Sequence, residues 1–216
     1  MQNLIGIGIS YSFIFIVILF AKIFEKNSKE ASRKFIHIVL CNWYFIAILL
    51  FKNVVWASIG PASFVIINYL SYKRNLISVM ERENNKQEGL GTVYYALALL
   101  ILVSISFGPL NNPYIGLLGI LVMGYGDGLA AIIGKLIKSK EYRIKNTTKT
   151  IAGSVTMFLV SFVVTFLFFL YMGNQAIFIN SLIIAVLATI TEGLGFKGLD
   201  NITVPIVVFV LTYLMI

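Results

Sequence analysis

The chain has few charged residues and very few of the side chains that form disulfides or bind zinc. Of its 216 residues, 12% are charged and 59% are hydrophobic, and the mean hydropathy is +0.91. A typical soluble domain carries about 25% charged residues, so this composition excludes an ordinary globular protein. The single cysteine, Cys41, excludes an internal disulfide, and the single histidine leaves no ligand-spaced Cys/His cluster for a structural zinc site.

Long apolar runs, separated by short polar stretches, recur along the whole chain. A helix of roughly 20 mainly apolar residues crosses a bilayer, so the sequence predicts an all-α, polytopic transmembrane helical bundle of about 7–8 spans. We expect a single integral membrane domain over residues 1–216, and the first span lacks the features of a cleaved signal peptide. The eight predicted spans cover roughly residues 4–21, 36–51, 54–71, 91–107, 114–134, 151–172, 175–191 and 202–216.

The distribution of basic residues predicts how these spans are oriented. Of 17 Lys and Arg residues, 16 lie in the segments that follow the first, third, fifth and seventh predicted spans. Cytoplasmic loops are enriched in Lys and Arg, so those segments are expected in the cytoplasm and both termini outside. Because topology accounts for the net charge of +8, we expect no nucleic-acid partner. The sequence predicts no particular oligomeric state.

The segment MGYGDGLAAIIGKLI places one carboxylate, that of Asp127, inside an apolar run. A charged side chain at mid-membrane costs about 2.5–3.5 kcal/mol on insertion scales, and such residues usually mark functional sites. The flanking Gly126 and Gly128 allow another group to approach the backbone closely. The alternative is a helix-packing face of small residues, in which Asp127 pairs with a lysine.

The basic loop before the sixth predicted span ends in KTIAGS and combines features that suit a phosphate. Thr150 or Thr148 is expected to cap the following helix, because a hydroxyl there accepts a bond from a free backbone N–H. Gly153 and Ser154 then lie in the first turn, where free amides and the helix dipole attract anions, and Lys149 adds a positive charge. No P-loop pattern is present. The alternative is a basic loop that only sets topology.

The segment TEGLGFKGLDNITVPI supplies further polar groups near the membrane boundary. Glu192 ends the seventh predicted span, and Asp200 and Asn201 open the eighth. Two carboxylates and an amide suit a hard cation such as Mg²⁺, whereas the alternative is ordinary helix capping. In the eight-span arrangement Asp127, Lys149, Glu192 and Asp200 all lie near the same cytoplasmic face, and this convergence favours one functional site.

A short segment that leads into the second predicted span, SRKFIH, adds two accessory candidates. His37 lies one turn inside the span, and Arg33 lies one turn before it. A histidine here can act as a general acid or base. The alternative is an interfacial histidine held by hydrogen bonds.

Taken together, these segments resemble the CTP-dependent lipid-alcohol kinases, a family that includes dolichol kinases, phytol kinases and CTP-dependent diacylglycerol kinases. The matching segments are RKFIH at 33–37, GTVYYALA at 91–98, GDGLAAIIG at 126–134, KTIAGS at 149–154 and EGLGFKGLDNITVP at 192–205. A more distant similarity links the chain to phosphatidate cytidylyltransferases. The chain departs from the family pattern at Ala152, where an acid is usual, and at Lys138, where a glycine is common.

The resemblance implies a membrane-embedded kinase that transfers the γ-phosphate of CTP to the hydroxyl of a lipid alcohol, with Mg²⁺ as cofactor. The acceptor would be a polyprenol, a phytol-like alcohol or diacylglycerol within the lipid bilayer. The alternatives are a phosphatidate cytidylyltransferase that makes CDP-diacylglycerol and an ion-coupled transporter. The resemblance places a nucleotide and metal site at Asp127, Lys149, Gly153, Ser154, Glu192 and Asp200.

The sequence motifs and the resemblance together predict a role for each candidate residue. Asp127, Glu192 and Asp200 are catalytic, and Asp127 and Asp200 hold the metal; either Asp127 or Glu192 accepts the proton. The nucleotide or phosphate is bound by Gly126, Gly128, Lys135, Lys149, Thr150, Gly153 and Ser154, with Arg33, His37 and Asn201 as accessory residues.

Overall fold

The computed structural model describes residues 1–25, 28–74, 90–144 and 147–216. Helices follow one another through these ranges, which confirms the predicted all-α helical bundle, and one short hairpin interrupts them. The elements are α1 Gln2–Glu25, α2 Lys29–Leu40, α3 Trp43–Leu50, α4 Val54–Arg74, α5 Gly91–Phe107, α6 Pro113–Leu121, a π-helical turn Val122–Asp127, α7 Gly128–Leu136, β1 Glu141–Ile144, β2 Thr147–Thr150, α8 Ile151–Tyr171, α9 Ile177–Leu194 and α10 Asp200–Met215.

Six segments of the described chain are long and apolar enough to cross a membrane, and two shorter apolar helices, α5 and α10, accompany them. Each overlaps one of the eight predicted spans. The second segment differs most, because its helix begins at Lys29 rather than at residue 36. Ser28 caps this helix by accepting a bond from the Ala31 amide, so the polar residues before the apolar run are already helical.

The segment Pro113–Leu136 lies at the centre of the bundle. In its most apolar stretch 78% of residues are buried within the protein, against 28–33% in the other five long segments. A π-helical turn, Val122–Asp127, interrupts it between α6 and α7, and such turns frequently occur at functional sites. Asp127 is the last residue of this turn and is therefore held inside the bundle rather than on its lipid-facing surface.

The basic loop between α7 and α8 forms a two-stranded antiparallel hairpin, which the sequence reasoning did not predict. Tyr142 of β1 pairs with Lys149 of β2, so both side chains lie on the same face of the hairpin. β2 ends at Thr150, directly before α8. The hairpin therefore fixes the direction of Lys149 and the start of α8 together.

Candidate active site

A cavity of about 240 Å³ lies at one end of the bundle. Its lining comes from α2, the π-helical turn, α7, strand β2 of the hairpin, the beginnings of α5, α8 and α10, the end of α9 and the loop after α9. Most of the predicted site residues meet here, although they are distant in sequence. Those that line the cavity are Arg33, His37, Asp127, Lys135, Lys149, Thr150, Gly153, Ser154, Glu192, Asp200 and Asn201.

Three carboxylates form the centre of this cavity. One oxygen from each of Asp127, Glu192 and Asp200 lies within 4.8 Å of the others. Asp127 closes the π-helical turn, Glu192 lies in the last turn of α9, and Asp200 opens α10. Asp127 and Glu192 are only 5% and 4% exposed. Buried carboxylates at this separation repel one another, so they require nearby cations.

Two lysines supply positive charge to the carboxylates. Lys34 Nζ lies 2.5 Å from Asp127 Oδ2, and both side chains are buried. Lys149 forms an ion pair with Glu192 and lies 3.6 Å from Asp200 Oδ2. Burial would lower the pKa of Lys149, but the carboxylates of Glu192, Asp200 and Asp127 outweigh this effect and raise the pKa above its ordinary value. Lys149 therefore stays cationic at neutral pH.

The structure confirms the predicted hydroxyl cap at the first turn of α8 but not the predicted free amides. Thr150, and not Thr148, caps the helix, because its Oγ1 accepts a bond from the Gly153 amide at 3.1 Å. Two other early amides are also bonded within the protein: Ala152 N to Ser139 Oγ and Ile151 N to Lys140 O. The prediction of free amides is therefore wrong for Ile151, Ala152 and Gly153. An anion at this turn would be attracted by the positive end of the helix dipole instead.

Gly126 and Gly128 lie outside the cavity lining, although the sequence reasoning assigned them to phosphate binding. A Cβ added to Gly126 would lie 2.6 Å from Met157 Sδ, and one added to Gly128 would overlap the side chain of Ile38. These two glycines let α8 and α2 pack against the central segment. Their positions fit the packing alternative and give no support to a phosphate contact.

At Gly134, α7 packs tightly against the start of α8 beside the cavity. A Cβ there would lie 2.6 Å from Thr150 Oγ1 and 3.3 Å from Gly153 Cα. We expect Gly134→Ala to displace the Thr150 cap and lower the thermal midpoint in detergent by several degrees, since overpacking a tight contact costs about 1–3 kcal/mol. The matched control is Gly8→Ala in α1, where a Cβ meets nothing within 4 Å. An equal midpoint for both variants would contradict this account.

The sequence reasoning missed Lys34 and Tyr142. Lys34 precedes His37 by three residues, so the two share a face of α2; this spacing was available in the sequence. The hydroxyls of Tyr142 and Ser154 lie 2.6 Å apart, a contact that depends on the unpredicted hairpin.

The fold and the cavity define a polytopic membrane protein with a charge-paired polar site inside one end of its bundle. The chain is 31% identical over 212 residues to the phytol kinase of Synechocystis sp., an alignment that covers 94% of this chain and 88% of that protein. It is 30% identical over 222 residues to phytol kinase 1, chloroplastic, of Arabidopsis thaliana, covering 92% and 71% of the two chains.

An uncharacterized protein of Methanocaldococcus jannaschii is 28% identical over 188 residues, covering 83% of this chain and 91% of that protein. No family model matches the chain, and no solved structure does. The identity and coverage of the named relatives show that this chain belongs to the phytol kinase family.

Proposed function

We propose that this protein is a lipid-alcohol kinase that transfers the γ-phosphate of CTP to the hydroxyl of a lipid alcohol, with Mg²⁺ as cofactor. The observation that carries the proposal is the buried cavity where three carboxylates meet two lysines. Phosphoryl transfer needs mainly positioning and charge neutralisation, which these groups provide. The relatives named phytol kinase make a phytol-like alcohol the first acceptor to test, and CTP as donor follows from the resemblance of the motifs.

The donor set fits a hard divalent cation. Three carboxylate oxygens within 4.8 Å of one another are the kind of ligands that Mg²⁺ would take from this cavity. Asp127 and Asp200 would hold the ion, and Glu192 joins them. Asn201 Oδ1 is buried without a hydrogen-bond partner in the described part of the chain and offers a further oxygen. Bound Mg²⁺ would neutralise charge on the phosphate oxygens.

The basic residues of the cavity position the phosphates. Lys34 and Lys149 approach the carboxylates from α2 and from the hairpin, so a phosphate group placed beside the carboxylates lies between two ammonium groups. Lys135 and Arg33 line the same cavity, and the positive end of the α8 dipole points into it from Gly153 and Ser154. Because the fold holds these charges in place beforehand, they need little reorganisation during the reaction.

In the transfer step the alcohol oxygen bonds to the γ-phosphorus, and the bond from that phosphorus to the β–γ bridging oxygen breaks. CDP leaves, and the hydroxyl proton passes to a carboxylate. The two candidate carboxylates are each paired with a lysine, Asp127 with Lys34 and Glu192 with Lys149. We assign the proton to Asp127 because it closes the π-helical turn of the central segment and lies beside Nε2 of His37, which has no hydrogen-bond partner among the residues that the structure describes.

The positive-inside distribution of Lys and Arg supports a cavity that faces the cytoplasm, with both termini outside. The clustering of the polar residues at one end of the bundle also favours an enzyme over an ion-coupled transporter, which needs a pathway through the membrane. Membership of the phytol kinase family also favours an enzyme over a transporter.

Two labelled nucleotides separate the kinase from the cytidylyltransferase alternative. With CTP labelled at the γ-phosphate, we expect label in a lipid alcohol such as phytol. With CTP labelled at the α-phosphate, we expect all label to remain in CDP. Transfer of α-label to phosphatidate would instead establish CDP-diacylglycerol synthesis.

The proposed orientation can be tested in sealed vesicles. CTP added outside should donate phosphate to the lipid alcohol only when the cytoplasmic face of the protein is on the outside of the vesicle. Phosphate transfer in the opposite orientation would overturn the proposed sidedness.

A further inference from the structure

His37 is a buried polar residue of the cavity that the proposed reaction has not yet used. Its Nε2 atom has no hydrogen-bond partner in the described part of the chain and lies 3.8 Å from Asp127 Oδ2. The side chain is only 10% exposed and lines the cavity. A buried donor or acceptor without a partner costs about 1–3 kcal/mol, so a partner of defined chemistry is expected at this atom.

His37 lies one turn further along α2 than Lys34, on the same face of the helix, and both side chains approach the same oxygen of Asp127. His37 lies eight residues into α2, about 12 Å along the helix from Lys29. Its ring contacts the Tyr95 ring, with centroids 4.3 Å apart, and this contact fixes the imidazole plane. His37 and Asp127 are thus two buried lining residues that come from different helical segments of the bundle.

The distance between the two atoms indicates what lies between them. A separation of 3.8 Å is too long for a direct hydrogen bond, but one oxygen about 2.8 Å from each atom fits between Nε2 and Oδ2. An ionised phosphate oxygen only accepts hydrogen bonds, so it would bond to the imidazole N–H but would leave the carboxylate without a donor. A neutral hydroxyl satisfies both atoms, because it donates to the carboxylate and accepts from the imidazole N–H.

We propose that His37 and Asp127 form the binding site for the acceptor hydroxyl of the lipid alcohol. The hydroxyl donates its hydrogen to Asp127 Oδ2 and accepts a hydrogen bond from His37 Nε2–H, which leaves a lone pair of the oxygen directed at the γ-phosphorus. As the new oxygen–phosphorus bond forms and CDP leaves, the proton passes to Asp127. This inference rests on the proposed kinase function and assigns His37 to the acceptor rather than to the nucleotide.

The test compares His37→Leu, which removes the N–H, with His37→Gln, which keeps an N–H donor. For each purified variant we would measure kcat and KM for phytol and the KM for CTP. We expect His37→Leu to lower kcat/KM for the alcohol by roughly tenfold or more, and His37→Gln to recover part of that loss. The KM for CTP should stay within about twofold of wild type, because the inference gives His37 no contact with the nucleotide.

The matched control is Ser32→Ala, which removes a buried hydrogen bond of 2.7 Å from α2 to Ala21 O of α1 without touching the cavity. It should leave both kcat/KM for the alcohol and the KM for CTP unchanged. The inference is overturned if Ser32→Ala reproduces the alcohol-specific loss, if His37→Leu raises the KM for CTP equally, or if His37→Leu behaves as wild type. If wild type itself transfers no phosphate to any alcohol, the proposed function fails and the inference fails with it. Should His37→Leu not fold, His37→Phe, which keeps an aromatic ring beside Tyr95 but removes the N–H, takes its place with the same expected loss.

Discussion

Asp127→Asn should reduce phosphate transfer by about 10²–10³-fold or more, because it removes a charge from the proposed metal-binding and proton-accepting position while keeping the side-chain shape. It should also lower the thermal midpoint. Lys34 is buried against Asp127 at 2.5 Å, and leaving one member of a buried ion pair without its partner costs about 3–5 kcal/mol. Activity and thermal unfolding in detergent would be measured on the same preparation.

The double variant Lys34→Met/Asp127→Asn separates the two effects. Replacing both members of a buried ion pair by uncharged residues is often neutral for stability, so the midpoint should recover towards wild type while activity stays lost. Recovery of activity together with stability would show that the pair only supports the fold, as the packing alternative holds.

Lys149→Met should raise the KM for CTP and lower kcat/KM about a hundredfold or more. The substitution removes the cation next to Glu192 and Asp200, leaving three carboxylates with Lys34 as their remaining ion-pair partner in the described chain. Because the raised pKa of Lys149 keeps it charged at neutral pH, its loss makes the cluster more negative. Mg²⁺ without nucleotide should therefore raise the thermal midpoint of this variant more than that of wild type.

The matched control is Lys138→Met, an exposed lysine just before the hairpin that does not line the cavity. It removes the same charge and should change neither the KM for CTP nor the response to Mg²⁺. Lys149→Arg should recover little, since a planar guanidinium does not replace a compact ammonium in a tight site. Equal kinetics for the Lys138 and Lys149 variants would contradict a phosphate role for Lys149.

Much of the architecture was predictable because a bilayer imposes strong constraints on sequence. Apolar runs had to be long enough to cross it, and all eight predicted spans overlap helices of the described chain. The cost of burying a carboxylate in such a run singled out Asp127. The predicted topology then placed Glu192, Asp200 and Lys149 at the same membrane face as this carboxylate, because an even number of crossings returns the chain to the same side.

What the sequence could not supply is the pairing between distant segments. Lys34 and Asp127 are separated by 93 residues, and no local pattern indicates which of 17 basic residues would meet the carboxylate. The hairpin was missed because two strands of four residues give too short an alternation beside a membrane span. The roles of Gly126 and Gly128 depend on Met157 and Ile38, which only the folded bundle brings into contact with them.

The most direct test of the account uses purified protein, Mg²⁺ and γ-labelled CTP or ATP, with polyprenol, phytol, geranylgeraniol and diacylglycerol as acceptors. Wild type and the Lys34→Met/Asp127→Asn double variant would be assayed side by side after both are shown to be folded. The account predicts that wild type transfers label from CTP to one of these lipid alcohols and that the double variant does not. Equal transfer by both proteins, or none from either nucleotide by wild type, would contradict the assignment of this cavity as a lipid-alcohol kinase site.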